Sequence, residues 1–545
     1  MAALPAFLLI VTTVVVSLLA ASAEFNLTIV HTNDIHARFD EVNPIGFGPC
    51  TDELRSTDDC FGGIARRATA INDVREAEDN VVLLDAGDQL QGPLWYYIYR
   101  GFLTSKFMNL LSYDAMAIGL HEFDMGVDKL TEFVGNLTFP VLACNVNGSA
   151  EPEFLEAIAC SHVITVNGER IGVVGFTDES NVNHSITDDL IITPIMDALQ
   201  DEVDRLLNEE NISKIIALGH TDTPIAKAIA NCVRGIDVVV FGRPIIFLYS
   251  GDSPDDVLEP FGDYPIVIRP DYDPERTVIL VTVFPFGKYL GRINVVFDGS
   301  GEILSYNGNP ILLDISVAKD PDTLELLDSY RGPVEELAKL NIGYSLVPLD
   351  GSLESCGLGE CNMGNSFMDA FLNYFLDNGT FPYWSDINFA VTNSGGFMGS
   401  FKRGELTFGD LSYVVPFGDI LHIIEMRGEH ILEMLEFSGS GLGAGVPRIE
   451  FLQVSGLRLE YDVSRKPGNR LIRALTLCTR CDIPKFVPIE KDTIYKFVTN
   501  SYVASGGDGH IIIPEKLISR VKGEHLEKRS QHISSDNKRG KEKTL

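Results

Sequence analysis

Short apolar runs alternate with longer stretches of helical periodicity from Leu27 to about Asp314. Apolar runs of about four to eight residues, bounded by polar or turn residues, are typical of buried strands. We predict strands at Leu27–His31, Val81–Asp85, Ala115–Ile118, Ile171–Phe176, Ile215–Leu218 and Asp237–Val240. Strands that alternate with helices in this way predict an α/β fold, in which helices cover a sheet.

Ionisable side chains cluster just beyond the ends of these predicted strands. They are His31, Asp34, His36, Asp85, Asp88, His121, Asp124, Asp178, His220 and Asp222. In α/β folds, ligands bind at the carboxyl ends of the strands. Packing alone does not explain why several strands each deliver Asp or His to one edge. The pattern therefore predicts a functional site at that edge.

The pattern changes after the first unit. Residues 318–345 are rich in Asp, Glu, Leu and Lys, contain Pro321 and Pro333, and are interpreted as a helical connector. A second unit starts near Leu346 and includes a helical pattern at 363–377. Its Gly-rich turns are Asn393–Gly396, Val415–Gly418 and Gly506–Gly509.

Glycine-rich turns allow the backbone to approach a small ligand, although each turn alone is also consistent with a simple tight turn. Phe417 and Tyr502 lie next to two of these turns and offer aromatic faces for stacking. The second unit is therefore a candidate ligand-binding domain.

Both ends of the chain differ from the rest. Residues 5–20 are apolar and end at Ala21-Ser22-Ala23, which predicts a signal peptide cleaved after Ala23. The alternative is an uncleaved membrane anchor. Residues 525–545 are polar, are expected to be disordered, and lack the apolar tail of a glycolipid anchor signal. We expect a secreted, extracellular protein without a membrane anchor.

Size and charge narrow the possibilities. A chain of 545 residues is expected to form two or more domains, because single cores stop growing near about 250–300 residues. The formal net charge of −34 argues against a nucleic acid as partner.

The nine cysteines fit an oxidising compartment. The pairs that could close small loops are Cys50/Cys60, Cys356/Cys361 and Cys478/Cys481. The last pair forms a Cys-x-x-Cys motif, which redox and metal sites also use. The remaining cysteines are Cys144, Cys160 and Cys232, so at least one free thiol is expected. Asn-x-Ser/Thr sequons compatible with glycosylation stand at Asn26, Asn136, Asn147, Asn183, Asn211 and Asn378.

The stretch Gly119–Asp124 follows the predicted strand Ala115–Ile118 and contains His121 and Asp124. An Asp three residues after a His can orient the imidazole for acid–base chemistry. Alone, such a pair is more often a structural hydrogen bond. Together with Asp34-x-His36, Gly87-Asp88-Gln89 and Gly219-His220, it provides the ligand types of a dinuclear metal site.

Several of these motifs stand in an order that resembles the 5'-nucleotidase/apyrase family over nearly all of the chain after the signal segment. The matching stretches are His31–His36, Leu84–Gln89, Ala217–His220, Phe286–Gly291, Cys361–Asn365, Pro416–Gly418 and Tyr461–Gly468. The resemblance implies a calcineurin-like metallophosphoesterase sandwich at 24–317, a linker helix within 318–345 and a nucleotide-binding domain at 346–524. It also implies two divalent metals (zinc, calcium or magnesium) and hydrolysis of extracellular nucleotides.

The resemblance assigns roles to individual residues. Asp34 and His36 match first-metal ligands, Asp88 matches the bridging carboxylate, and His220 matches a second-metal ligand. His121 and Asp124 match the catalytic dyad.

Three further ligand positions of the family are occupied by Leu120, Arg243 and Ile245, none of which is expected to bind a divalent cation. We therefore expect metal binding to be weak or absent. We also hypothesise that Arg243 pairs with Asp88 or a neighbouring carboxylate in place of the metal charge.

Some of the family's nucleotide-binding residues are retained in this chain. Phe417 and Tyr502 match the pair that stacks on adenine, Asn393 matches a base contact and Asp508 matches a ribose contact. Arg38 matches one phosphate-binding arginine. Two other such arginines of the family are replaced by Gly357 and Met398.

These substitutions favour a secreted pseudoenzyme that acts by binding, and the resemblance implies that it inhibits platelet aggregation. A soluble chain without a glycolipid anchor resembles the salivary apyrases of blood-feeding arthropods, which remove ADP. Its target would be an adenine nucleotide or nucleoside, or a platelet-surface protein. The alternative is an active metal-dependent apyrase or 5'-nucleotidase acting on ATP, ADP or AMP, which the retention of His121 and Asp124 favours. A third possibility is a protein-interaction module that no longer uses the nucleotide cleft.

Overall fold

The computed structural model describes residues 24–181, 185–376 and 384–522. The predicted signal peptide at 1–23, the predicted tail at 525–545 and the sequons at Asn183 and Asn378 lie outside these residues. No helix within the described part of the chain is long and apolar enough to cross a membrane.

The N-terminal part is built from short strands and helices. Its strands are β1 Phe25–Thr32, β2 Val81–Asp85, β3 Ala115–Ala117, β4 Val141–Leu142, β5 Val146–Asn147, β6 Ser161–Val166, β7 Glu169–Thr177, β8 Ile191–Ile192, β9 Lys214–His220, β10 Val238–Gly242, β11 Ile266–Ile268, β12 Val278–Val281, β13 Tyr289–Phe297, β14 Ile303–Asn307 and β15 Ile311–Leu312. Its helices are α1 Asp52–Ser56, α2 Ile64–Ala77, α3 Leu94–Leu111, α4 Val127–Gly135, α5 Pro152–Ala157, α6 Ile195–Asn208 and α7 Thr223–Cys232, with a 3₁₀ turn at His121–Phe123.

The C-terminal part follows the connecting helix α8, Pro321–Ala338. Its strands are β16 Asn341–Ser345, β17 Phe389–Asn393, β18 Gly404–Thr407, β19 Leu421–Arg427, β20 Leu452–Ser455, β21 Leu457–Tyr461, β22 Leu471–Leu477, β23 Phe486–Pro488, β24 Ile494–Asn500 and β25 Ser519–Lys522. Its helices are α9 Leu353–Cys356, α10 Asn362–Leu376, α11 Phe408–Val414, α12 Gly428–Ser438, α13 Ser501–Ala504 and α14 Ile512–Lys516, with 3₁₀ turns at Ser394–Gly396, Gly439–Gly441 and Gly507–Gly509.

Two sheets form the centre of the N-terminal part. One has the strand order β14-β13-β1-β2-β3-β4 and the other the order β11-β12-β10-β9-β7-β6. Apolar side chains from both sheets share one buried cluster, which includes Leu27, Val82, Ala115, Val173, Ile216 and Val238. The outer faces pack against helices, as expected for strands buried on both sides. The predicted helix-covered sheet is therefore a sandwich of two sheets between helices.

The six predicted strands are all present, with ends that differ by at most two residues. The central strands β1, β2 and β3 run parallel in one sheet, and β7, β9, β10 and β12 run parallel in the other. Their carboxyl ends therefore lie along common edges, where the loops after β1 and β2 meet the ends of β9 and β10. This arrangement positions the candidate site.

The C-terminal part has a core around the sheet β20-β17-β24-β19-β25. The predicted connector 318–345 contains the helix α8 and then continues as strand β16. The Asp320 side chain caps α8 by accepting a hydrogen bond from the Thr323 amide at 2.8 Å. Arg331 on α8 forms an ion pair with Asp40 at 2.8 Å, which ties the connector to the N-terminal part.

The disulfides agree with the predicted close pairs Cys50–Cys60, Cys356–Cys361 and Cys478–Cys481. Because Cys478 and Cys481 are joined, this Cys-x-x-Cys motif is a disulfide here. Cys144 and Cys160 form a further disulfide, and Cys232 is free and exposed.

Candidate metal and nucleotide site

Four predicted metal ligands converge where the parallel strands end. His220 Nε2 lies 3.2 Å from Asp34 Oδ1 and 3.1 Å from Asp88 Oδ2. His36 Nε2 lies 3.9 Å from each of the same two oxygens. Ligand atoms about 2.0–2.2 Å from one Zn²⁺ are separated by roughly 3–4 Å, so this spacing fits a shared cation.

The surroundings of the two histidines also fit a cation. His36 Nδ1 donates to the Leu90 carbonyl at 3.2 Å, which leaves Nε2 free to act as a ligand. Burial lowers the pKa of His36 to about 4, so its imidazole is neutral. Burial also acts to lower the pKa of His220, but Asp88 and Asp34 outweigh it and hold that pKa well above its usual range. A divalent cation between the carboxylates would replace the proton on His220.

Asp88 is fixed by its loop. It has a positive φ of 56°, and its Oδ1 accepts a hydrogen bond from the His121 amide at 2.8 Å. Burial acts to raise the pKa of Asp88, but the positive charge of His220 leads the effects that hold it below its usual range. Asp88 therefore remains a carboxylate, as a metal-bridging residue must.

Glu122 organises this loop and was not among the predicted site residues. Its carboxylate accepts hydrogen bonds from the amides of Gly119, Asp88, Gln89 and Leu90, at 2.7, 2.9, 2.8 and 3.1 Å. Burial raises the pKa of Glu122 to about 7. Its position directly after His121 was the available sequence signal, but its four partners could not be read from the sequence.

His121 and Asp124 form the predicted acid–base pair. His121 Nδ1 and Asp124 Oδ2 are 2.7 Å apart, and His121 Nε2 lies 4.0 Å from Asp88 Oδ2. Burial acts to lower the pKa of His121, but Asp124 and then Asp88 raise it to about 10. The imidazole is therefore protonated at neutral pH and can donate a proton to a leaving oxygen.

The three positions where the resemblance expects further ligands carry no metal donor. Leu120 is partly buried at the start of the 3₁₀ turn, and the side chain of Ile245 is exposed. The Arg243 amide donates to Asp34 Oδ2 at 2.9 Å, while Nη1 of its side chain lies 3.0 Å from Asp178 Oδ2. Our hypothesis is that Arg243 pairs with Asp88 or with a neighbouring carboxylate. In the structure it pairs with the neighbouring carboxylate of Asp178 and not with Asp88.

Two residues predicted at the strand ends, His31 and Asp85, form hydrogen bonds with residues outside the ligand cluster. His31 is buried inside β1, and its Nε2 lies 2.8 Å from the Tyr264 hydroxyl. Asp85 accepts the Gly87 amide at 3.0 Å and contacts Thr32 Oγ1 at 2.5 Å. The structure therefore separates both residues from the converging ligands, although Asp85 supports the loop that carries Asp88.

Arg38 is also buried. Its guanidinium lies 3.8 Å above the centre of the Phe286 ring, and it makes long contacts of 3.5 Å with the carbonyls of His36 and Phe47. Burial lowers the pKa of Arg38 to about 9. The predicted contact between Arg38 and a phosphate stays a prediction.

The C-terminal part brings together three of its predicted nucleotide contacts. Asp508 Oδ2 accepts the Asn393 side-chain amide at 2.6 Å, and Asp508 Oδ1 accepts the Tyr502 hydroxyl at 2.8 Å. Asp508 has a φ of 50°, in the left-handed region, and sits in the 3₁₀ turn Gly507–Gly509. Asn393, Tyr502 and Asp508, for which the resemblance implies base, stacking and ribose contacts, therefore lie side by side.

Asp419 joins the two predicted stacking residues. It accepts hydrogen bonds from Ser501 Oγ at 2.6 Å and from the Tyr502 amide at 3.3 Å, two residues after Phe417. The rings of Phe417 and Tyr502 are both substantially exposed. Their loops therefore stand together with open aromatic faces.

The surface that carries Phe417 and Tyr502 faces the metal-binding edge, which is the set of strand ends that carries Asp34, His36, Asp88 and His220. The Gln91 side chain donates to the Pro416 carbonyl at 3.3 Å across the two parts. Burial raises the pKa of Asp419, and the charge of Asp124 raises it further, so these carboxylates lie within electrostatic range. The loops of Phe417 and Tyr502 therefore lie near the strand ends that carry the predicted metal ligands.

Comparisons with known proteins agree with this two-part arrangement. Residues 27–242 match the family described as calcineurin-like phosphoesterase, and residues 341–515 match that described as 5'-nucleotidase, C-terminal domain. The first family implies a divalent metal. Human 5'-nucleotidase is 37% identical over 511 residues, which cover 92% of this chain and 87% of the human protein.

Two further relatives extend the comparison. A snake venom 5'-nucleotidase from Naja atra is 37% identical over 497 residues, covering 90% of this chain and 92% of that protein. The solved structure of a 5'-nucleotidase precursor from Thermus thermophilus matches with a TM-score of 0.74 and 31% identity, covering 96% of this chain and 98% of that one. The predicted resemblance and fold class are confirmed.

Proposed function

We propose, because this chain belongs to the 5'-nucleotidase family, that it binds extracellular adenine nucleotides and hydrolyses them little or not at all. The family consists of metal-dependent nucleotide phosphohydrolases, so nucleotide recognition is the shared starting point. The reduced hydrolysis is our inference from the residues that surround the metal-binding edge.

One observation carries the proposal. The donors form two groups that share Asp88, namely Asp34, Asp88 and His220, and His36, Asp88 and His121. Because we assign His121 to acid–base chemistry, Asp34, Asp88 and His220 remain as one full set of donors. A two-metal site needs a second set of donors that holds another cation about 3.5–4 Å away. At the positions where the resemblance expects them, this chain has Leu120, Arg243 and Ile245.

A cation held by Asp34, Asp88 and His220 would polarise a phosphate oxygen or acidify a water. The protein would supply the rest through His121, whose Nδ1 is held by Asp124 at 2.7 Å and whose imidazolium can donate a proton. With one cation, both the attacking and the leaving oxygen cannot be stabilised by metal as in a two-metal site. We therefore expect the rate of hydrolysis to be low.

The decisive experiment measures metal content and phosphate release together. We expect the purified native protein to hold at most one divalent ion per chain, and to release little phosphate from ATP, ADP or AMP with zinc, calcium or magnesium. A Leu120→Asn, Arg243→His, Ile245→His variant is expected to bind a second ion and gain activity. His121→Ala in that variant is the matched control and should remove the gain.

Robust metal-dependent phosphate release by the native chain would overturn the low-activity proposal. It would favour the second candidate, an active apyrase or 5'-nucleotidase that uses one metal. The observation in favour of that candidate is the intact pair of His121 and Asp124.

The third candidate is a protein-interaction module that makes no use of the cleft. Phe417→Ala and Tyr502→Ala separate it from nucleotide binding, since only a stacked base needs these rings. We expect both substitutions to weaken adenosine binding. An unchanged affinity would favour the interaction module.

We further propose that the protein is secreted and that it inhibits platelet aggregation by lowering the free ADP concentration. Support comes from the predicted signal peptide at 1–23 and from the resemblance to secreted apyrases. Aggregation triggered by ADP should be inhibited, and excess ADP should overcome the inhibition. Inhibition that excess ADP cannot overcome would instead point to a platelet-surface protein as the target.

A further inference from the structure

Arg243 lies at the metal-binding edge but is not one of the predicted metal ligands, so its role there needs an explanation. It follows Gly242 at the end of β10, and its backbone amide donates to Asp34 Oδ2 at 2.9 Å. The side chain extends away from the ligand carboxylates, with Nη1 at 3.0 Å from Asp178 and 3.3 Å from the Ser180 hydroxyl. A fixed cation is thus held beside the ligand cluster, outside it.

The guanidinium retains binding capacity. Its Nε lies 3.7 Å from Asp222, and Nη1 is occupied as described, but Nη2 forms no hydrogen bond with the residues that the structure describes. The side chain is 23% exposed. A guanidinium offers five N–H donors in a planar fork that matches phosphate oxygens. Asp178 and Ser180 therefore hold one side of this fork and leave another side open.

Arg243 is close enough to Tyr502 for its charge to act on the pKa of the Tyr502 hydroxyl. Burial and Asp508 act to raise the pKa of Tyr502, whereas the positive charge of Arg243 acts to lower it. The surface around Tyr502 carries the carboxylates of Asp419 and Asp508, and the charge of Asp124 acts to raise the pKa of Asp419. Phosphate groups brought into these acidic surroundings need a compensating cation.

Two of the three arginines that the resemblance expects at the phosphates are absent from this chain. Gly357 and Met398 occupy two positions where the resemblance expects phosphate-binding arginines. A side chain at Gly357 would start only 2.6 Å from the backbone nitrogen of Arg448, so that space is filled. Arg38 is buried over the Phe286 ring.

We propose that Arg243 binds the phosphate groups of a nucleotide whose base lies at Phe417 and Tyr502. Arg243 is thus a nucleotide-binding residue, and it favours nucleoside phosphates over nucleosides. This inference rests on the proposed nucleotide-binding function. The two can nevertheless fail separately, because a nucleoside lacks the group that Arg243 recognises.

Isothermal titration calorimetry with ADP and adenosine tests this inference on the purified mature protein. We expect Arg243→Gln to weaken ADP binding by about 10–100-fold, as for loss of a charged hydrogen-bonding group, and to change adenosine binding less than about twofold. Arg243→Lys keeps the charge but loses the fork, so its ADP affinity should be intermediate. Because Arg243→Lys also retains a partner for Asp178, it covers the case in which Arg243→Gln folds poorly.

Arg465→Gln is the matched control, since it removes one exposed positive charge that pairs with Asp462 at 3.0 Å. We expect this control to bind ADP like the native protein. Equal native affinities for ADP and adenosine would overturn the role of Arg243 and leave nucleoside binding intact. Equal losses for both ligands in Arg243→Gln would also overturn it, because they indicate a structural role. Binding of neither ligand by the native protein would overturn the proposed function as well.

Discussion

At the scale of single residues, the candidate site depends on side chains that hold its loops as much as on the ligands. Glu122 accepts hydrogen bonds from four backbone amides and so fixes the segment that carries Asp88. Asp34, Asp88 and His220 could be predicted because they follow buried strands. The role of Glu122 could not, since it depends on amides contributed by two separate loops.

The pairing of Arg243 with Asp178 leads to a stability prediction. Asp178 is 3% exposed, and Arg243 contributes to holding its pKa below its usual range. Arg243→Ala should therefore lower the free energy of unfolding by about 1–3 kcal/mol, because it leaves a buried carboxylate without its cation. Thermal denaturation measures the change.

The control for this prediction is Asp178→Asn in the Arg243→Ala background. Removing the unpaired charge should recover part of the lost stability. A melting temperature that stays unchanged or rises in Arg243→Ala alone would contradict the pairing.

His31 leads to a prediction about pH. Burial lowers its pKa to about 3, whereas an unfolded chain has a His pKa near about 6.5. The unfolded state therefore binds a proton that the native state does not, and stability falls as pH drops from about 6.5 toward 3. The loss contributed by this residue approaches about 1.4 kcal/mol per pH unit.

His31→Gln removes the group that binds this proton in the unfolded state. It retains a polar partner for the Tyr264 hydroxyl, which lies 2.8 Å from the imidazole. Its melting temperature should depend less steeply on pH than that of the native protein between about pH 4 and 6.5. Parallel pH profiles for the two proteins would show that His31 does not contribute in this way.

At the scale of elements, the strands that sequence revealed are those buried on both faces. β2, Val81–Asp85, is a continuous apolar run, and so is most of β9. β13, Tyr289–Phe297, contains Gly291, Arg292 and Asn294 and was not predicted. It forms the antiparallel neighbour of β1, and pairing between residues so far apart in sequence leaves no local signal. The stacking of two sheets was likewise implied only by resemblance.

The loop closed by Cys356–Cys361 leads to a prediction with a control in the same loop. A Cβ at Gly357 would lie 2.6 Å from the Arg448 amide nitrogen and 2.6 Å from the Leu353 carbonyl oxygen. Because both neighbours are backbone atoms, Gly357→Ala should be destabilising by roughly 1–3 kcal/mol. A Cβ at Gly359 would have no atom of the described residues within 4 Å, so Gly359→Ala should be nearly neutral.

Melting temperatures of the two variants provide the comparison. Equal stability of Gly357→Ala and Gly359→Ala would mean that the backbone of Arg448 can move away. In that case an arginine at position 357 would also be tolerated.

At the scale of the whole molecule, the two domains contact each other at several points. The ring centroids of Tyr97 and Phe408 are 5.3 Å apart, and Gln91 reaches Pro416, so the contact extends beyond one residue pair. The number of domains could be predicted from length and pattern. The contact between them could not, because it joins loops with no sequence relation to each other.

The net charge of −34 leads to a prediction about association kinetics. An anionic nucleotide approaches a chain of the same sign, so added salt should screen the repulsion and raise the association rate constant for ADP. Stopped-flow measurements at increasing ionic strength determine this rate. Adenosine is uncharged and serves as the control, since its rate should not change. A rate for ADP that falls with salt would show that the local field of Arg243 dominates.

The ion pair of Arg243 with Asp178 also restricts the order in which this sequence can change. A histidine at position 243 alone leaves the buried Asp178 without its cation, which is 3.0 Å away in the present chain. An asparagine at position 120 alone adds one donor for a second cation, but the donors expected at positions 243 and 245 are still missing. Neither single step improves metal binding by itself, so the substitutions are epistatic. A stepwise change toward further metal donors therefore passes through an intermediate that we expect to be less stable, so the order of the substitutions matters.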